Sequence, residues 1–317
     1  MKFTYEVLTK DTAHQVASVI KKVYGGSYSE LALPTGEEAW DAHESGDNII
    51  VLAFFAGQAQ GMVSLKRSPD NMRVYELGML SVDERFRDGE MAGGLIAFVK
   101  ERFGGRLDYD AVYMENVSNH YYSQRKAAYS GSIDSAIMLF AMQGLSSDKK
   151  RLSFITGFME NPSVSPPPVY VPKRYSDVIL LFYHGFKKRS FLPLVQKSPY
   201  SGATLARRRE FPTLGLLKES ITDIGADFSL HIDMLDDYTN RGHFTAIQIF
   251  LPMASEHLSF AVDVLHEKGY VVGGVMPLWF GADAFFMQKT VWEDLSEIKV
   301  YSKKAKKILQ IIKEDKV

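Results

Sequence analysis

Residues 77–100 carry the side chains and spacing of a phosphate seat. A strand-like run, residues 76–82, enters a short charged turn, residues 83–89, that contains Gly89. The amphipathic stretch 90–103 follows, with Met91, Leu95, Phe98, Val99 and Phe103 on one side. A helix starting after such a turn has backbone N–H groups without intrahelical partners, at the positive end of its dipole. That arrangement accepts a pyrophosphate, and Arg85 and Arg87 stand where they can add charge-assisted contacts. Strand–turn–helix junctions also occur as plain structure. Further on, His120 sits beside Ser123 and Gln124. Its ring titrates in the range of a working acid or base. The alternative is a histidine that only hydrogen-bonds at a strand–helix junction.

Other clusters carry less chemistry. Arg207, Arg208 and Arg209 could grip an anion, although a solvated loop explains them as well. His231, His243, Asp227 and Asp233 lack a metal-ligand spacing. The chain has no cysteine, which removes disulfides and thiolate nucleophiles and suits a reducing, cytoplasmic setting. A formal net charge of -1 leaves no electrostatic footprint for nucleic acid. No apolar run is long enough to span a membrane, and the N-terminus has no signal-peptide core.

The elements that must position these residues are legible in outline. A helix capped by Asp11 or Thr12 should carry Val16, Val19, Ile20 and Val23 on one side. Residues 48–55 and 61–66 read as a hairpin turning at Gly57, and 74–82 as a third strand. The helix over 90–103 should end at a left-handed cap on Gly104-Gly105. Then come a strand (111–117), a helix (123–129), Gly131 and a strand (133–140). Residues 161–168 hold four prolines and mark the expected linker between domains 1–160 and 161–317. Beyond it, 173–186 reads as a helix, 226–234 as an alternating strand and 244–252 as a strand. A helix over 257–268 follows, closed by Gly269, then a strand over 270–276. The helix–glycine–strand order thus recurs in the second half, which suggests duplicated architecture. The last segment, 301–317, is an amphipathic helix expected to pack on the second domain.

This order of elements, and the stretch LGMLSVDERFRDGEMAGGLIAFV, resemble the GNAT acyltransferases. Val82, Phe86, Arg87, Ala92 and Leu95 match that family's central motif, while Glu90 stands where its first signature glycine belongs. Residues 114–139 are similar to a GNAT subgroup through Glu115, Ser118, His120, Ser123, Gln124 and Gly131. Residues 169–179 and 269–289, including Asp283 and Gln288, resemble that subgroup's C-terminal region. The implied fold is α/β (α+β), a mixed central sheet flanked by helices. A GNAT-like N-terminal domain would be followed by a second, reduced GNAT-like domain.

The resemblance implies acetyl-CoA, or another acyl-CoA, as co-substrate. Its seat would be Leu80, Ser81, Val82, Arg87, Asp88, Gly89, Met91 and Ala92. Leu80–Val82 would hold the pantetheine arm with their backbone. Glu76 would deprotonate the acceptor amine through water, with His120 as a second catalytic candidate. The family's usual acid, a tyrosine, falls on Ala127. The expected activity is transfer of an acetyl group to an unidentified small-molecule or peptide amine. The alternative is a non-catalytic acyl-CoA-binding module. The sequence leaves room for a homodimer.

Overall fold

The structure is a computed structural model, and it describes residues 2–24, 35–87, 90–105, 107–143 and 150–316. Two compact units divide the chain, Met1–Val112 and Tyr113–Val317. The proline-rich residues 161–168 lie within the second unit and form neither helix nor strand.

In the first unit, β1 (Thr4–Val7), α1 (Gln15–Tyr24), α2 (Gly36–Glu44), β2 (Asn48–Phe55), β3 (Gln58–Arg67), β4 (Val74–Val82) and α3 (Met91–Phe103) follow in order. The strands form an antiparallel ladder, β1-β2-β3-β4. Ala56 and Gly57, both with positive φ, make the β2–β3 turn; a left-handed pair matches the twist of the hairpin. The middle strands are apolar on both faces because each face is covered. Leu52 and Met62 pack with Val16, Val19 and Ile20 of α1. Val51, Ala53 and Val63 pack with Met91, Leu95 and Val99 of α3. Each such side chain contributes about 1.5–3 kcal/mol by leaving water, so α3 is fixed on the sheet by its own apolar stripe.

Two helix ends differ from expectation. α1 begins at Gln15, because Thr9 and Thr12 exchange backbone–hydroxyl bonds in a turn before it. Gly104 has φ −63° and donates its N–H to the Lys100 carbonyl at 2.9 Å, so α3 closes without a left-handed cap.

In the second unit the strand order is β5-β7-β6-β11-β12-β10-β9-β8. The elements are β5 (Ala111–Val117, in this unit from Tyr113), α4 (Tyr122–Tyr129), β6 (Ile133–Gln143), β7 (Arg151–Glu160), α5 (Ile179–Tyr183), β8 (Leu205–Phe211) and β9 (Leu216–Asp223). α6 (Phe228–Arg241), β10 (Ala246–Pro252), α7 (Leu258–Glu267), β11 (Val271–Met276), β12 (Ala284–Thr290) and α8 (Lys303–Glu314) complete it.

The repeated element order extends to detail. Strands β5-α4-β6-β7 align side by side as β5-β7-β6, and β10-α7-β11-β12 as β10-β12-β11. Helix α4 ends on Gly131 (φ 91°) and α7 on Gly269 (φ 83°). Each end closes the same paired bonds, Ser132 N–H to the Ala127 carbonyl with Gly131 N–H to Ala128, and Tyr270 N–H to Leu265 with Gly269 N–H to His266. β6 and β11 then meet antiparallel at Ala136 and Gly274, where each also breaks register with its other neighbour. A Cβ on Gly274 would stand 2.2 Å from the Ser135 carbonyl oxygen, so only glycine admits this approach.

Three further expectations are corrected. Residues 226–234 are not a strand but the start of α6. Phe228, Ile232, Leu235 and Thr239 are buried at helical spacing, while Leu230 and Met234 are exposed. A short window of alternating apolar residues fits both periods, and only the longer one separates them. The helix expected over 173–186 is a 3-10 turn, Lys173–Tyr175, followed by the five-residue α5. The three arginines lie on strand β8 rather than in a loop. Helix α8 packs as expected, burying Ala305, Ile308, Leu309 and Ile312 in the core of the second unit.

Candidate functional site

Strand β4 is interrupted where the first unit's chemistry would sit. Met62 pairs with Ser81 and Ser64 with Gly78, so Met79 and Leu80 together oppose Val63. This is a β-bulge, which re-aims a strand and leaves a residue outside the ladder. Met79 adopts φ 51°, a left-handed conformation uncommon for a side chain of its kind. Its side chain packs toward the α1 core, and Leu80 is turned outward at 36% exposure. Glu76 faces Lys66 across the ladder, and its carboxylate lies along the strand over Gly78. A Cβ on Gly78 would be 2.8 Å from the Glu76 Oε1, so the glycine gives the carboxylate its room.

Downstream of the bulge the chain turns under tight control. The Asp83 carboxylate caps the 3-10 turn Glu84–Phe86, accepting from Arg85 N at 3.1 Å. It also accepts from Arg85 Nε at 3.0 Å and Nη2 at 2.7 Å. The Arg85 guanidinium holds the Asp83 carboxyl below its usual range, against the opposing effect of burial. Arg85 is therefore committed to Asp83 and to Gln60, at 3.3 Å. Lys22 Nζ reaches the same Gln60 Oε1 at 3.3 Å. Phe86 anchors the turn against Phe55 and Phe3. Arg87 is exposed, and its Nε donates to the Val82 carbonyl at 3.3 Å.

Helix α3 starts behind this turn without a side-chain cap. Glu90 stands at the N-cap, exposed, making no capping hydrogen bond. Met91 and Ala92 are buried in the core, so only their backbone can meet a ligand. Met91 Sδ would be 3.0 Å from a Cβ on Gly61, which shows how closely the helix start approaches β3. Tyr5 packs against Gly94 in the first turn of α3, and burial, aided by Glu90, raises its hydroxyl above the usual range. Ser81 and Val82 are buried at the end of β4. Asp88 and Gly89 lie outside the described residues.

The structure thus brings Glu76, Leu80, Ser81, Val82, Arg87, Met91 and Ala92 onto one strand–turn–helix segment of the first unit. His120 belongs to the second unit, exposed, with Nδ1 accepting from Tyr122 N at 3.3 Å. Its neighbour Gln124 is a structural clamp. Gln124 Nε2 donates to the carbonyls of Val117, His120 and Lys299, and Oε1 accepts from Tyr301 N at 2.8 Å. Ala127 is buried in α4, so no hydroxyl is supplied there. Asp283 is fully buried, bound by Tyr183 Oη at 2.7 Å, Arg189 Nε at 2.8 Å and Leu278 N at 2.8 Å, which makes it a staple of the fold.

Reading the sequence missed Gly78, Met79, Lys22 and Gln60. The signal for the first pair was present, since glycine inside a strand pattern often marks a bulge. Among the described residues no group of three or more acidic or histidine side chains is placed to hold a metal ion. No helix among them is long and apolar enough to cross a membrane.

No protein-family model and no curated protein matches the chain. Solved structures do resemble it. An N-acetyltransferase from Staphylococcus aureus Mu50 is 9% identical, over 51% of this chain and 99% of that one, with a TM-score of 0.42. An acetyltransferase of the GNAT family from Streptococcus pneumoniae is 13% identical, over 50% and 99%, with a TM-score of 0.41. The paia N-acetyltransferase from Thermoplasma acidophilum, in complex with coenzyme A, is 11% identical, over 50% and 99%, with a TM-score of 0.38.

Proposed function

We propose that this chain is a GNAT-type N-acyltransferase that moves an acetyl group from acetyl-CoA to an amine. The observation that carries the reading is the bulge at Met79–Leu80, which turns β4 outward just before the uncapped start of α3. A thioester lying along Leu80–Val82 would meet the main chain at Leu80, which the bulge leaves outside the β3 register. Backbone at the start of α3, with Arg87 beside it, suits the pyrophosphate of the donor. Glu76, lying along β4 toward the bulge, would take the proton of the acceptor ammonium through a water.

A domain pair of 1–160 and 161–317, both GNAT-like and cytoplasmic, is part of the same proposal. The repeated element order supports it. A second reading is a module that binds acyl-CoA without turning it over. It is favoured by the buried Ala127, where an acid would be expected, and by Glu90, whose carboxylate stands at the helix start.

Calorimetric titration with acetyl-CoA, followed by thiol release across an amine and peptide panel, separates the two. Binding with amine-dependent CoA release is the expected result. Binding without release would leave the module, and no binding at millimolar acetyl-CoA would overturn both readings.

A further inference from the structure

In the second unit, helix α4 sorts its residues into two faces. Gln124 and Ala127 are buried, while Tyr122, Arg125, Lys126 and Tyr129 recur at helical spacing on the other side. Tyr129 is 78% exposed, and Tyr121, just before the helix, is 50% exposed. The Gln124 clamp holds residues 299–301 against this helix, through the Lys299 carbonyl and Tyr301 N. Tyr301 thereby joins the exposed face. Its hydroxyl shares a hydrogen bond with Tyr129, and the Arg125 charge acts on it. Lys126 Nζ stands 5.8 Å from the centre of the Tyr122 ring. Helix α8 begins two residues beyond Tyr301, with Ser302 as its cap and Lys303, Lys306 and Lys307 exposed.

The cations of this surface have no counter-charge. Among the described residues, no carboxylate pairs with Arg125, Lys126, Lys299, Lys303, Lys306 or Lys307. Asp134, which approaches the start of α8, is taken by the Ser302 hydroxyl. Lys304 turns inward instead, donating to the Phe182 and His184 carbonyls at 2.8 Å each. Lysines in the first turns of α8 stand at the positive end of its dipole, and no acidic residue there offsets them. The chain as a whole carries a formal net charge of -1, so these cations are a local concentration in an otherwise acidic molecule. Like charges crowded in this way destabilise the free protein, and an anionic partner relieves them.

We propose that this surface, α4 with residues 299–307, docks an acidic polypeptide segment of a partner protein. Its carboxylates would accept from the Arg125 guanidinium, from the Lys299, Lys303 and Lys307 ammonium groups and from the tyrosine hydroxyls. Its apolar side chains would lie on the rings of Tyr121 and Tyr129. Tyrosine and arginine are the residues that anchor contacts between proteins. A single-stranded nucleic acid fits less well, because stacked bases need a row of free ring faces. Here Lys126 already stands over Tyr122, and Tyr129 and Tyr301 are tied through their hydroxyls.

The test is fluorescence anisotropy of a labelled oligoglutamate peptide titrated with the full chain, and separately of a labelled oligouridylate, at fixed ionic strength. Saturable binding of the peptide is expected, weakened about tenfold or more in the double variant Arg125→Glu with Lys303→Glu. Tyr129→Ala should weaken it as well. Lys10→Glu with Lys21→Glu, both exposed in the first unit, changes the net charge equally and should leave the affinity unchanged. Lys303→Glu alone should raise the thermal unfolding midpoint, since it puts a carboxylate in the first turn of α8, so its loss of binding cannot come from unfolding. Absence of saturable peptide binding, equal weakening by the two double variants, or tighter binding of the oligouridylate than of the peptide overturns the proposal.

Discussion

The segments β4–turn–α3 and β9–turn–α6 occupy the same place in the order of elements, yet they are built for opposite ends. β4 breaks its ladder at Met79–Leu80, although neither α3 nor α6 has a side-chain cap of its own. β9 keeps an unbroken parallel register with β10 from Leu216 to Ser220. The chain before α6 is covered, since a Cβ on Gly225 would lie 2.4 Å from Ala203 C and Thr204 N. Asp227 at that helix start accepts from Thr204 N at 2.7 Å. The carboxylates differ in the same sense. Glu76 is half-buried and lies along its strand over Gly78, whereas Glu219 is fully buried and bound by Arg208 and His231. One copy of the topology therefore carries a bulge in its strand, while the counterpart strand and the turn after it are held by an unbroken register and close backbone contacts.

The comparison can be broken most sharply through stability. If the second half is scaffold, Arg189→Met, which strands Asp283 and Glu160 as buried charges, should cost about 3–5 kcal/mol in denaturant unfolding. A loss under 1 kcal/mol would contradict that role. In the first half the expected loss is in chemistry. Glu76→Gln should lower kcat by about 100-fold or more while the unfolding midpoint and acetyl-CoA affinity hold. An unchanged rate would remove Glu76 as the base.

Alanine at two glycines sharpens the contrast between covered and uncovered helix starts. Gly225→Ala should destabilise by about 1–3 kcal/mol through overpacking against backbone. Gly93→Ala meets open space in the first turns of α3 and should stabilise by up to about 1 kcal/mol. Thermal unfolding of both reads the sign directly. The last contrast is a pH dependence. Burial lowers the Lys304 ammonium to about 7, so between about pH 7 and the unfolded lysine range the unfolded chain binds more protons. Stability should rise with pH across that window in the wild type, more than in Lys304→Met. Parallel pH profiles would contradict the assignment.

Much of this was legible beforehand because the first unit's strands are long, apolar and separated by turn residues. Residues 48–55 and 74–82 fell where β2 and β4 lie. Gly131 and Gly269 were readable because a helix closing on a left-handed residue nearly demands glycine. What escaped was decided by contacts that local pattern does not show. Alternation over 226–234 hid α6, because the residue that breaks the tie, Thr239, lies beyond the window. Arg85 looked like a ligand contact until Asp83, two residues away, proved to hold it. The bulge was marked only by Gly78, and its consequence depended on β3. Nothing in the sequence could show that the Gln288 amide is satisfied, since its partners lie on another strand.

The meeting of β6 and β11 at Ala136 and Gly274 also governs how this chain can be cut. The proline-rich residues 161–168 invite truncation there as an apparent linker. Severing the chain at that point would strip β11 and the Gln288 amide from β6, leaving the Ile137 carbonyl and the Leu139 N–H on a bare apolar edge. Such an edge is a template for strand addition by other chains. The first half expressed alone would aggregate, and a useful shortened form must keep both repeats.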